Sequence, residues 1–242
     1  MSYYGALLVL GVALQIMVLS AMLHGLWSRY PLVFSYVVVS FFATVTQESF
    51  SYYFGRKSVA YAQAYWIGDF AGTFLLLLVI IHLIRTAMAG HPHRGQVYWG
   101  LMLGMAATGV ASVLFVTQHS RVFHLGSLLT ELGRNYYFSA VLLNAILWMT
   151  LMRVQHPDRL VYLFSSGLGL KLTGAAIAHA LRLTTSSQTS WFAANQILIF
   201  SYLASLYVWY IAAKRFSTPV PASGAAGEPA PPVSFEFSLR DR

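Results

Sequence analysis

Six ionisable side chains, Glu48, Asp69, Glu131, Arg134, Lys171 and His179, lie inside stretches of this sequence that are otherwise apolar. In a hydrocarbon environment each costs roughly 2.5–3.5 kcal/mol on insertion scales, so each needs an opposite charge, water or a ligand. Three carboxylates set against two cations can neutralise most of their charge by pairing. Glu131 and Arg134, three residues apart, share one face of a helix and are natural partners. Asp69 and Lys171 fall at equal depth on different segments and are expected to form a central ion pair, with Glu48 left as an unpaired or proton-sharing carboxylate. Gln47, Asn195 and Gln196 are uncharged companions, and Tyr65, Trp66 and Trp191 supply ring walls at the same level. The expected ligand-binding set is therefore Glu48, Tyr65, Trp66, Asp69, Glu131, Arg134, Lys171, His179, Trp191 and Asn195.

Other chemistries lack their residues. The chain has no cysteine, which excludes disulfides, thiolate metal sites and thiol nucleophiles. No HExxH motif lies within an apolar stretch, and no serine sits in a GxSxG elbow. His91 and His93 form an HxH triplet in a polar break, where solvated loop histidines are the simpler account. These absences point away from an enzyme. His24 and His82 reach similar depths near the ends of the first and third stretches, so a haem held by two histidines is geometrically imaginable; interfacial histidines are the plainer reading.

The elements that must position these groups are membrane spans. The 242 residues are 57% hydrophobic and only 9% charged, where soluble domains carry about 25% charged residues. A span needs roughly 20 apolar residues, and seven such stretches occur at about 4–28, 30–55, 58–86, 95–118, 125–152, 159–182 and 190–213. Gly, Pro and charged residues punctuate them, as in Gly55-Arg56-Lys57 and Gly90-His91-Pro92. The expected fold is an all-α bundle of seven transmembrane helices over residues 1–216. Its first span has no basic residue before it and so lacks the flank of a cleaved signal peptide.

Basic residues set the orientation. Arg29, Arg85, Arg94, Arg153, Arg159, Lys214, Arg215, Arg240 and Arg242 fall on one side, nine in all, against Arg56, Lys57, Arg121 and Arg182, four, on the other. This bias predicts the N-terminus out and the C-terminus in. The ionisable set then lies between the outer surface and the midplane, within roughly 17 Å of the outside at 1.5 Å per residue. The inner halves hold little beyond His24, His82 and Asn144, and runs such as Leu75 to Ile81 seal them. Stripes at helical spacing, Thr44, Gln47, Glu48, Ser51 and Tyr52 in the second span and Ala62, Tyr65, Trp66, Asp69 and Thr73 in the third, are expected to face the interior. Gly167, Lys171, Gly174 and Ala178 form a small-residue seam in the sixth.

Residues 217–242 are rich in Pro and Ala and read as a flexible cytoplasmic tail. Its alternating tip, at 233–239, suits addition to a partner's sheet edge. The basic residues are scattered and form no stripe, so no nucleic-acid partner is expected. The expected partners are the lipid bilayer, a small-molecule ligand from outside and a protein partner through the tail. Small loops and the bare first span fit a bacterial inner membrane.

Seven spans with an external N-terminus resemble microbial rhodopsins and G-protein-coupled receptors in topology alone. The seventh span, from Trp191 to Ala213, has no lysine for a retinal Schiff base. A chromophore on Lys171 would be the remaining option, and a buried lysine more simply pairs with a carboxylate. The reading these features support is a sensor, receptor-like or binding component whose polar and aromatic cavity opens to the extracytoplasmic side. The alternatives are an ion- or proton-coupled transporter of a small solute, and a structural or haem-binding subunit of a membrane complex.

Overall fold

A computed structural model describes residues 3–119, 125–154, 158–184 and 188–216. The tail at 217–242, with its expected partner segment, lies outside the described residues, as does Arg121. Among the described residues the chain forms seven α-helices and no strand: α1 (Tyr3–Leu23), α2 (Pro31–Phe54), α3 (Val59–Ala87), α4 (Arg94–His119), α5 (Leu125–Arg153), α6 (Arg159–Thr184) and α7 (Gln188–Phe216). All seven are long and apolar enough to cross a membrane, and the chain is a polytopic helical membrane protein. At 1.5 Å per residue the longest reach about 44 Å, so they tilt or project beyond a hydrocarbon core of about 30 Å.

Local chemistry sets the helix ends. Ser58 caps α3 by accepting from the Tyr61 amide at 3.1 Å. Gly55 closes α2 at φ +78°, a conformation that favours glycine. Pro31 opens α2 at a position where no amide hydrogen is needed. The first helix is shorter than its hydropathy implies: it stops at Leu23 rather than near residue 28 because Gly25, at φ +124°, turns the chain. Apolar composition carries the pattern past the stop, and only the backbone angle reveals it.

Asp158 fastens this turn to the bundle. Its Oδ1 accepts from the Leu160 amide and caps α6, while its Oδ2 accepts from Arg29 at 2.6 Å and from the Tyr30 hydroxyl at 3.1 Å. The Tyr30 ring is buried edge-on between His82 and Phe164. That burial, and then the Asp158 charge, push its hydroxyl up to about 12.

The helices pack with α3 near the middle, against α2, α4, α5 and α6; α1 joins α2 to α7, and α4 lies at the periphery on α3 and α5. The closest pair is α6 with α7, and the expected small-residue seam is its cause. Gly167 leaves room for the Trp209 indole and Gly174 for Ser201, so the two backbones come together. Trp209 Nε1 then donates to the Phe164 carbonyl at 3.0 Å.

Apolar burial is uneven along the bundle. In α3, Leu76, Leu77, Val79, Ile80, Ile81, Leu83 and Ile84 are at most 1% exposed, and they pack in one core with Tyr30, Leu147, Phe164 and Trp209. In the other half of α3, Tyr65, Ile67 and Asp69 are exposed. On α3, burial is therefore concentrated toward the end beside the α1–α2 turn, and the end beside the α2–α3 turn is less buried.

Candidate functional site

The middle of the bundle holds a polar cluster drawn from several helices. Lys171, on the seam of α6, donates to the Tyr36 hydroxyl of α2. Its ammonium also lies 4.8 Å from the centre of the Tyr36 ring and 5.3 Å from that of Tyr202 on α7, favourable cation–π positions. One turn along α2 from Tyr36, Ser40 Oγ lies 2.8 Å from the Tyr202 hydroxyl. Gln15 of α1 closes the group, its Nε2 donating to Tyr202 at 2.5 Å and to Ser40 at 3.5 Å. Gln15 is buried, yet its Oε1 has no hydrogen-bond partner.

Asp69 approaches this cluster from α3. Its Oδ2 lies 3.8 Å from where a Cβ on Gly133 of α5 would stand. At hydrogen-bond range the Lys171 amine meets the Tyr36 phenol, and the expected Asp69–Lys171 pair is not at ion-pair distance. The reason is lateral placement: equal depth does not make α3 and α6 present these two side chains to one another. The Lys171 amine has further N–H donors to offer an acceptor group, while Gln15 Oε1 offers an acceptor to a donor.

The remaining expected residues are distributed differently. Glu131 and Arg134 pair at 2.5 Å as anticipated. Asn135 extends the pair by donating to Glu131 at 3.3 Å and to Ser112 of α4 at 2.9 Å. The Arg134 end is exposed, so the pair faces sideways, away from the cluster. Trp66 packs where Gly126 of α5 leaves space. Glu48 is half-buried on α2. Tyr65 and Trp191 are 45% and 48% exposed, and Tyr52, expected inside, is 84% exposed. Such rings gain at a membrane interface, where an apolar body meets a polar tip. Asn195 lines a separate hollow of about 380 Å³ with Tyr4, Arg56, Leu198 and Ile199. His179 belongs to α6, but its side chain is not among the described ones.

Gln15, Tyr36, Ser40 and Tyr202 are the members of this cluster that the sequence analysis did not single out. Their signal was present: a lone amide in the apolar run of α1, and a phenol and a hydroxyl four apart on α2. Of the two histidines considered for haem, His24 is exposed with Nδ1 2.7 Å from the Ser20 carbonyl, and His82 packs against Tyr30. Among the described residues no three His, Asp or Glu side chains converge as a metal site.

No family model matches the chain, and no curated protein or solved structure is similar to it. The site's own chemistry therefore carries the functional reading.

Proposed function

We propose that the protein is a membrane sensor or binding component that accepts a small polar ligand at the Lys171–Tyr36–Tyr202–Gln15 cluster. The observation that carries this reading is a half-buried Lys171 amine whose hydrogen-bond partner is the Tyr36 phenol, next to a buried amide oxygen without a donor. A ligand bearing an acidic or carbonyl group beside an N–H or O–H would satisfy both. The more open half of the bundle supports access past Asp69, and the apolar layer from Leu76 to Ile84 supports closure beyond the site. The excess of basic residues at the closed end supports a cytoplasmic position for it, and so a ligand arriving from outside.

The test uses the full chain in nanodiscs and a library of small carboxylates, amides and amino acids, read as a shift in unfolding temperature. Compounds that stabilise the native protein and fail to stabilise Lys171→Met support binding at the cluster. Equal stabilisation of both proteins by every hit refutes it.

One observation favours a second reading, a proton- or ion-coupled transporter. In the closed half, Asn144 Oδ1 on α5, which faces Gly169 of α6, and Ser165 Oγ on α6 are buried without hydrogen-bond partners. Polar atoms there would serve a path continuing past the cluster. Proton movement into liposomes on addition of a stabilising compound distinguishes transport from binding alone.

A further inference from the structure

The turn between α3 and α4 builds a second, independent site. A hollow of about 440 Å³ is lined there by Arg85, His91, Arg94, Tyr98 and Trp99, with Ala89, Pro92 and Gly95 completing its wall. Arg85 comes from the last turn of α3, and Arg94 is the first residue of α4. The Arg85 guanidinium stacks over the Tyr98 ring at 4.8 Å, which fixes its plane and leaves its N–H edge for an acceptor. The turn itself is ordered by backbone hydrogen bonds, His91 to Met88 and Arg94 to His91.

Charge balance leaves this hollow basic. The four carboxylates within the described helices and turns are Glu48, Asp69, Glu131 and Asp158. Glu131 is paired with Arg134, Asp158 is paired with Arg29, and Glu48 and Asp69 belong to the opposite half of the bundle. Neither Arg85 nor Arg94 has a carboxylate at ion-pair distance among the described residues. Two convergent guanidiniums with an imidazole and no acid form a receptor for a compact anion with several oxygens, for which arginine's planar fork is suited. The position narrows the source. The hollow lies where two spans end, and Trp99, 71% exposed, faces outward beside it, as rings do at headgroup level.

We infer that this hollow binds a phosphate group, with Arg85 and Arg94 holding the oxygens and Trp99 set against the lipid-facing side. The group arrives either as the phosphodiester of an acidic phospholipid or as free phosphate. This site does not depend on the function proposed above.

Native mass spectrometry of the delipidated full chain, titrated with phosphatidylglycerol or phosphatidylcholine, tests the inference, with inorganic phosphate as a competitor. The native protein is expected to prefer phosphatidylglycerol, and Arg94→Gln to weaken that binding about fivefold, from roughly 1 kcal/mol per basic residue at an anionic surface. Arg94→Gln keeps the Arg85–Tyr98 stack; Arg85→Gln with Arg94→Gln loses more, and the unfolding temperature without lipid checks that each variant is folded. Displacement of phosphatidylglycerol by millimolar phosphate assigns the site to free phosphate, and no displacement assigns it to the lipid. Equal binding of both lipids, or unchanged binding by folded Arg94→Gln, overturns the inference.

Discussion

The Lys171 ammonium on α6 donates to the Tyr36 hydroxyl on α2, joining two helices that make no close backbone approach. Removing the acceptor leaves a half-buried amine with less to bond, a loss of roughly 1–3 kcal/mol. Tyr36→Phe should therefore lower the unfolding temperature in detergent. Lys171→Met keeps the stem and removes the charge, leaving the phenol beside Ser40, so its loss should be smaller. In the double variant the two losses should fall short of their sum by about 0.5 kcal/mol or more. Strict additivity would mean that the two groups do not interact.

Orientation is directly measurable because the chain has no cysteine of its own. Lys57→Cys, at the α2–α3 turn, should react with an impermeant maleimide added to intact cells, and Ser28→Cys, at the α1–α2 turn, only after lysis. The reverse pattern would place the open half of the bundle in the cytosol.

Tyr30 gives the protein an alkaline limit. Its hydroxyl, ordinarily near 10, is raised to about 12 by burial and by Asp158. The folded chain thus keeps this proton after the unfolded chain has lost it. The associated stability is intact below about pH 10 and disappears as the pH climbs to about 12. Unfolding midpoints measured across that window should fall, and fall less steeply in Tyr30→Phe. Parallel curves would show that the hydroxyl is not held as described.

The α6–α7 seam predicts a sharp contrast between glycines. Gly174→Leu must displace Ser201 from its place and should destabilise by about 1–3 kcal/mol. Gly100→Leu on α4, where nothing lies within 4 Å of the added carbon, should change the midpoint by no more than about 0.5 kcal/mol. Thermal unfolding of both in the same detergent compares them.

What could be read in the sequence follows the range of each interaction. The seven spans were legible because each is a long apolar run bounded by Gly, Pro or charge. The Glu131–Arg134 pair was legible because three residues along one helix fix the geometry. The α6 seam was legible because Gly167 and Gly174 are two turns apart on the face that also holds Lys171. Lys171's partner was not legible, since helical spacing gives depth and face but not which neighbour stands opposite. The neutral polar residues Gln15, Tyr36, Ser40 and Tyr202 carry no insertion penalty as large as a charge, so they drew no notice until their helices were seen together. Tyr52 misled for a related reason: a ring with a hydroxyl suits an interface as well as a pocket, and at 84% exposed it does not face the interior.

Because α2 makes no close backbone approach to α6 or α7 and meets them through side chains such as Tyr36 and Ser40, prying it away from them sacrifices less apolar contact than separating α6 from α7. This makes the Tyr36 side of the bundle, along which thermal breathing should be larger, a weaker line than the α6–α7 seam. Amide exchange is thus expected to run faster in α2 than at the Gly167–Trp209 interlock.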